Sequence, residues 1–166
     1  MSDSSSTTEP AASGEAQQQP TVRVLAQYVK DLSFENPRAP VSLQKKEDQA
    51  PINIGVNVTA RGLAESDFEV TLSLNAKAGD AEAINFEVEL QYAGVIRVTN
   101  LKPEHIQPFL LIEGPRLLFP FARQILADAV RNGGFPPLMI DPIDFVSLYR
   151  RNLERPQGTP DAPSVN

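Results

Sequence analysis

Cysteine and tryptophan are absent from the 166 residues, and histidine occurs once, as His105 in "KPEHIQPF". Without Cys there is no disulfide, no thiolate metal site and no Cys nucleophile. A lone His cannot assemble a zinc site of the usual nitrogen and sulfur type, and a satisfied surface His is the simpler reading. No GxGxxG, P-loop or GxSxG motif is present. The acids of "KKEDQ" and "AGDAE" have no calcium-loop spacing and read as solvated loop charge. The sequon at Asn57–Thr59 lies inside a strand pattern and is discounted. Neither metal, cofactor nor enzymatic activity is expected.

Basic residues are also scarce, 15 against 21 acids, for a net charge of −6. Residues 1–20 hold Asp3, Glu9 and Glu15 with no base, and residues 155–166 cancel, which leaves −3 for 21–154. Such a body lacks the basic footprint of a nucleic-acid binder, and partners guided by charge should be basic. No apolar run approaches the ~18 residues of a membrane span. The opening "MSDSSSTTEPAASGEAQQQP" has neither the basic nor the apolar region of a secretory signal. A cytoplasmic chain that does not insert into membranes is expected.

What is present divides into three parts. Residues 1–20 carry no large apolar side chain beyond the first Met and read as a disordered acidic tail, as do 155–166, "RPQGTPDAPSVN", at the other end. Residues 21–154 form one domain whose period changes once. In "TVRVLAQYVKDLSFEN", Val22, Val24, Ala26, Tyr28, Leu32 and Phe34 share a face, with Lys30 the exception. "INIGVNVTA", "FEVTLSLNA" and "INFEVELQY" alternate in the same way. Gly79-Asp80 suits a hairpin between the last two. Later, "KPEHIQPFLLIEG" reads as a short helical piece interrupted by Pro108, and Pro115 to Arg131 as a separate helix ending at Gly133-Gly134. A final helix follows, with Asp141 as N-cap and Pro142 at its first position. Four strands followed by helices predict an α+β two-layer domain, a four-stranded antiparallel sheet with helices packed on one face.

Two surfaces stand out. The 115–131 helix places Leu117, Leu118, Phe121, Ile125 and Leu126 among apolar positions filling an arc of about 200°, about twice the stripe of an ordinary surface helix. A flank left bare would be an apolar patch that monomers rarely expose, so self-association through this helix is expected. On the sheet, alternation turns Asp31, Glu35, Glu87 and Glu89 outward. Between the helices, "GGFPPLMIDP" is more hydrophobic than a loop requires, which suits either a lid on the core or one wall of a groove for apolar segments of another chain.

The segments "GPRLLFPFAR", "RNGGFPPLMIDPIDFVSLY", "VKDLSFENP" and "VELQYAG" resemble the SecB family of protein-export chaperones across residues 21–153. The resemblance implies a bacterial cytosolic homotetramer, a dimer of dimers, that holds unfolded precursor proteins without ATP and delivers them to the SecA motor. It implies subunit contacts along the 115–131 helix. Motif by motif, it assigns SecA binding to Asp31, Glu35 and Glu89, whereas Glu87 stands where the family often has Leu. It implies a client groove lined by Phe135, Leu138, Ile140 and Phe145, with Ile54 and Val56 beside it. Phe121 replaces a Tyr common in the family, which removes a hydroxyl and preserves packing. Two alternative functions compete with this one: a SecB-like chaperone serving a stress or toxin–antitoxin system in place of SecA, and a carrier that uses the same groove for small apolar ligands.

Overall fold

The computed structural model describes residues 19–44, 50–80 and 82–154. The two tails expected to be disordered lie outside them, apart from residues 19 and 20. Strands β1 (Thr21–Glu35), β2 (Ile52–Gly62), β3 (Asp67–Asp80) and β4 (Ala83–Thr99) precede helices α1 (Pro103–Asn132) and α2 (Phe145–Glu154). The strands form one antiparallel sheet in the order β1-β4-β3-β2, as their single-sided alternation requires. The β3–β4 ladder runs up to Asp80 opposite Ala83, and Gly79 takes a left-handed φ of 108° at its last register shift. Val70, Leu72, Leu74, Val88, Leu90 and Ile96 on these central strands are at most 1% exposed and form the core under α1. The same alternation on edge strand β2 yields less burial, and Ile52 and Ile54 stay exposed.

The break expected between two helices does not occur. α1 is continuous through Pro108, Pro115 and Pro120. A proline inside a helix removes a backbone hydrogen bond and costs about 3 kcal/mol. Burial of Leu110, Gly114, Leu118, Ala122, Leu126 and Val130 along one side offsets that cost, since packing supplies most helical stability. Two glycines bring helix and sheet together where Val70 pairs with Gly94. A Cβ on Gly114 would come within 2.9 Å of Val70, and one on Gly94 within 2.7 Å of Leu118.

α2 also starts later than expected. Its first turn is capped by Asp144, not Asp141. The Asp144 carboxylate accepts the Ser147 backbone N–H at 3.0 Å and the Ser147 hydroxyl at 2.7 Å. These bonds lower its carboxyl pKa. Ile140 is buried and Ile143 half-buried against the core. They hold the preceding segment in an irregular path, so Pro142 falls before the helix.

β1 departs from strict alternation twice. Its pairing with β4 shifts between Val24 and Ala26 and again between Val29 and Asp31, which leaves Leu25 and Lys30 as bulged residues. The first bulge reverses the faces and the second restores them. Val22, Leu32 and Phe34 therefore point toward α1 as expected. Ala26 and Tyr28 point to the opposite, outer face, which corrects the expected pattern.

Candidate functional site

The outer sheet face carries the acids. Asp31 pairs with Gln91, Ser33 with Glu89 and Glu35 with Glu87 across β1 and β4. Because the two bulges cancel in parity, Asp31, Glu35 and Glu89 all face outward. Lys77 on β3 lies opposite Glu87 and forms an ion pair with it at 3.5 Å. Among the described residues no cation pairs with Asp31, Glu35 or Glu89. The acid that the family resemblance set aside is thus the one that is locally neutralised. A hollow of about 700 Å³ borders Asp31, Glu89, Gln91, Asn75 and Gly55 on the sheet and Arg151 of α2. Ile54, Val56, Leu74, Leu90 and Leu148 border the same hollow.

A second polar cluster lies toward the other end of this face. Glu69 on β3 is buried, its side chain 4% exposed. Its carboxylate accepts hydrogen bonds from the Arg61 guanidinium on β2 and, at 2.5 Å, from the Tyr28 hydroxyl on β1. Lys30, at the second bulge, lies 3.3 Å away. The Arg61 and Tyr28 bonds, with Lys30 adding to them, outweigh burial and hold the carboxyl at about 2. The bond to Glu69 in turn raises the Tyr28 pKa. Lys30 breaking the apolar pattern was the only sequence signal for this cluster, and nothing local connected it to Glu69.

The apolar candidates separate by burial. Phe135 packs into an aromatic cluster with Phe86 (ring centroids 4.9 Å apart) and Phe34 (6.5 Å), and it remains half-buried, as does Leu138. Ile140 and Phe145 are buried, Phe145 edge-on to Phe119. Both belong to the core and offer no accessible wall to a groove, which corrects the expectation for both. On α1, Leu118 and Leu126 are fully buried against the chain's own sheet, so neither can join an interface. Leu117 and Phe121 are 41% and 52% exposed, and Ile125 is intermediate. The wide apolar arc is thus divided between the sheet on one flank, Phe145 beside Phe119, and an open stripe at Leu117 and Phe121. On β1, Val24, Leu25, Val29 and Leu32 are also exposed.

Among the described residues, the two-layer domain thus carries acids without cationic partners on one face and several uncovered apolar stripes. No helix is long and apolar enough to cross a membrane, and no group of three metal-binding side chains occurs among the described residues. Residues 15–156 match the family model described as preprotein translocase subunit SecB. A protein-export protein SecB from Rhodopseudomonas palustris is 59% identical over 86% of this chain and 90% of its own. One from Bradyrhizobium sp. is 56% identical over 92% and 96%, and one from Nitrobacter winogradskyi 54% over 87% and 91%. Among solved structures, a Mycobacterium tuberculosis SecB-like chaperone, determined with a peptide from an antitoxin, superposes with a TM-score of 0.61. It is 15% identical and covers 74% of this chain and 90% of its own, so it bears on the fold alone. The chain belongs to the SecB family of protein-export chaperones.

Proposed function

We propose that this chain is an ATP-independent holdase that keeps precursor proteins unfolded in the bacterial cytosol and delivers them to SecA. The observation that carries this reading is one body with two chemically distinct surfaces. Among the described residues no cation pairs with Asp31, Glu35 or Glu89, whereas Phe135, Leu138, Ile54 and Val56 offer accessible apolar area. Unfolded chains expose apolar segments that fit the second surface and bind it by burial, with no need for a nucleotide. A basic partner fits the first and is steered to it by long-range attraction. The export names and 54–59% identity of the relatives favour this role over an antitoxin-linked one, for which the likeness is 15%. Leu117, Phe121 and the exposed apolar residues of β1 would then be covered in a homotetramer.

The two surfaces can be tested separately. Reversal of Asp31, Glu35 and Glu89 to Lys is expected to abolish SecA binding at low salt and leave affinity for an unfolded precursor unchanged. Replacement of Phe135 and Leu138 by Ser is expected to do the opposite. Titration calorimetry of both partners against each variant, with sedimentation to confirm the assembly, checks this. Loss of both affinities in the charge-reversed variant would refute a separate acidic docking face.

A further inference from the structure

We infer that Glu69 is a positioning residue for the acidic face: already paired with Arg61 of β2, it draws Tyr28 and Lys30 to the outer side of the sheet, selects one of two registers open to β1 and so sets the spacing of Asp31 and Glu35 against Glu89. The functional consequence rests on the docking role proposed for that face, whereas the register selection stands by itself.

The apolar pattern of β1 is compatible with two pairings. In the observed one Leu25 and Lys30 are bulged, with Leu32 opposite Leu90 and Phe34 opposite Val88. In the other, β1 continues without bulges from Val24 opposite Ile96. Residues 26–29 then slip by one along β4 and those from Asp31 onward by two, which places Leu32 opposite Val88 and Phe34 opposite Phe86. A two-residue slip keeps side chains on their original faces, so Leu32 and Phe34 remain inward either way. Like-charge repulsion does not choose between them, because each register holds one facing acid pair. The observed register opposes Glu35 and Glu87, and the slipped one would oppose Asp31 and Glu89.

The difference lies in Ala26, Tyr28 and Lys30. The bulge-free register turns all three inward, with Lys30 opposite Leu90, itself 1% exposed. It removes two of the three donors that surround the Glu69 carboxylate, which is nearly closed to water. A buried charge deprived of its partners is strongly disfavoured. The observed register answers both demands. Tyr28 pairs with Ala93 of β4, and that small residue lets the tyrosine ring cross β4 to reach Glu69 on β3. One carboxylate thereby links β1, β3 and β2. Asp31 comes to lie opposite Gln91, two residues along β4 from Glu89, and Glu35 lies beside the Lys77–Glu87 pair. In the slipped register Glu35 would face Asn85 and the acid surface would be rearranged.

The absence of native cysteine makes the register directly readable. Ser33→Cys with Glu89→Cys spans the observed pair, and Asp31→Cys with Glu89→Cys spans the slipped one, at separations suited to a disulfide. In the otherwise unaltered full chain the first pair is expected to oxidise readily and the second poorly. Adding Glu69→Gln is expected to shift oxidation several-fold from the first pair to the second. Tyr28→Phe combined with Lys30→Gln, which leaves Glu69 on Arg61, should shift it the same way to a smaller extent and carries the test if Glu69→Gln fails to fold. Lys30→Arg, which keeps a cationic donor, should behave as the native chain. Unchanged oxidation of the 33/89 pair in both altered backgrounds would overturn the inference. Binding of an oligolysine peptide to cysteine-free chains reads the consequence: Tyr28→Phe with Lys30→Gln is expected to lower its affinity several-fold. Shifted cross-links with unchanged peptide affinity would overturn the positioning role. Peptide affinity that survives reversal of Asp31, Glu35 and Glu89 to Lys would instead overturn the docking reading.

Discussion

Glu69 shows how far one side chain's surroundings can move its chemistry. Its carboxyl is held at about 2 against an ordinary 4.5 by Arg61, then Tyr28, with Lys30 contributing. A carboxyl pKa lowered by folding stabilises the folded state above the unfolded value, and the stabilisation is lost as pH falls through the folded one. The cluster should therefore contribute fully above pH 4.5 and fade toward pH 2. Glu69→Gln is expected to lower stability by about 1.5–3 kcal/mol at pH 7, the range for hydrogen bonds to a charged group. Urea denaturation of both proteins at pH 7 and near pH 3 should show the gap narrowing in acid, and a gap independent of pH would contradict this account. Asp31, Glu35 and Glu89 stand at the other extreme, exposed and, among the described residues, without a cationic partner. Their substitution should cost no more than about 0.5 kcal/mol of stability, which makes them suitable for binding tests.

At the scale of elements, the two helices illustrate opposite balances between local signals and packing. α1 contains three prolines that a local reading takes as breaks, and its buried side overrides them. α2 is short, and its start is decided by a single cap. Asp144→Ala removes the acceptor for both Ser147 donors. It is expected to cost about 1 kcal/mol, the usual loss for a helix N-cap. Asp141→Ala is expected to cost nothing measurable. Thermal denaturation of the pair checks the assignment, and equal losses would return the cap to Asp141. The bulges of β1 obey the same logic, since an element's path follows the contacts available to it.

For the whole molecule, the open question at the monomer level is what covers Leu117 and Phe121. Both lie exposed on a helix whose sheet-facing side is buried, and burying such side chains is worth about 1.5–3 kcal/mol each. Leu117→Ser with Phe121→Ser is expected to shift sedimentation at micromolar concentration from tetramer toward smaller species, with little loss of secondary structure. Leu118→Ser is expected to unfold the subunit instead, because that residue belongs to its core. A wild-type chain sedimenting as an 18.1 kDa monomer would exclude assembly through this stripe.

By itself the sequence determined the α+β class, the four strands, the inward and outward faces of β2, β3 and β4, and the outward placement of Asp31, Glu35 and Glu89. Those features follow from periodicities of two and 3.6, which the order of residues states directly. Its motifs also led to the family that the relatives establish. Tertiary structure alone decided the continuity of α1, the cap at Asp144, the two bulges of β1 and the division of apolar residues between core and surface. All but the cap, which Asp144 makes with Ser147 three residues on, depend on a partner distant in the chain. Gly114 meets Val70, Tyr28 meets Glu69, and Leu118 lies over Gly94. A periodic pattern says which face is apolar, whereas only the packed fold says whether that face is already covered, and by what.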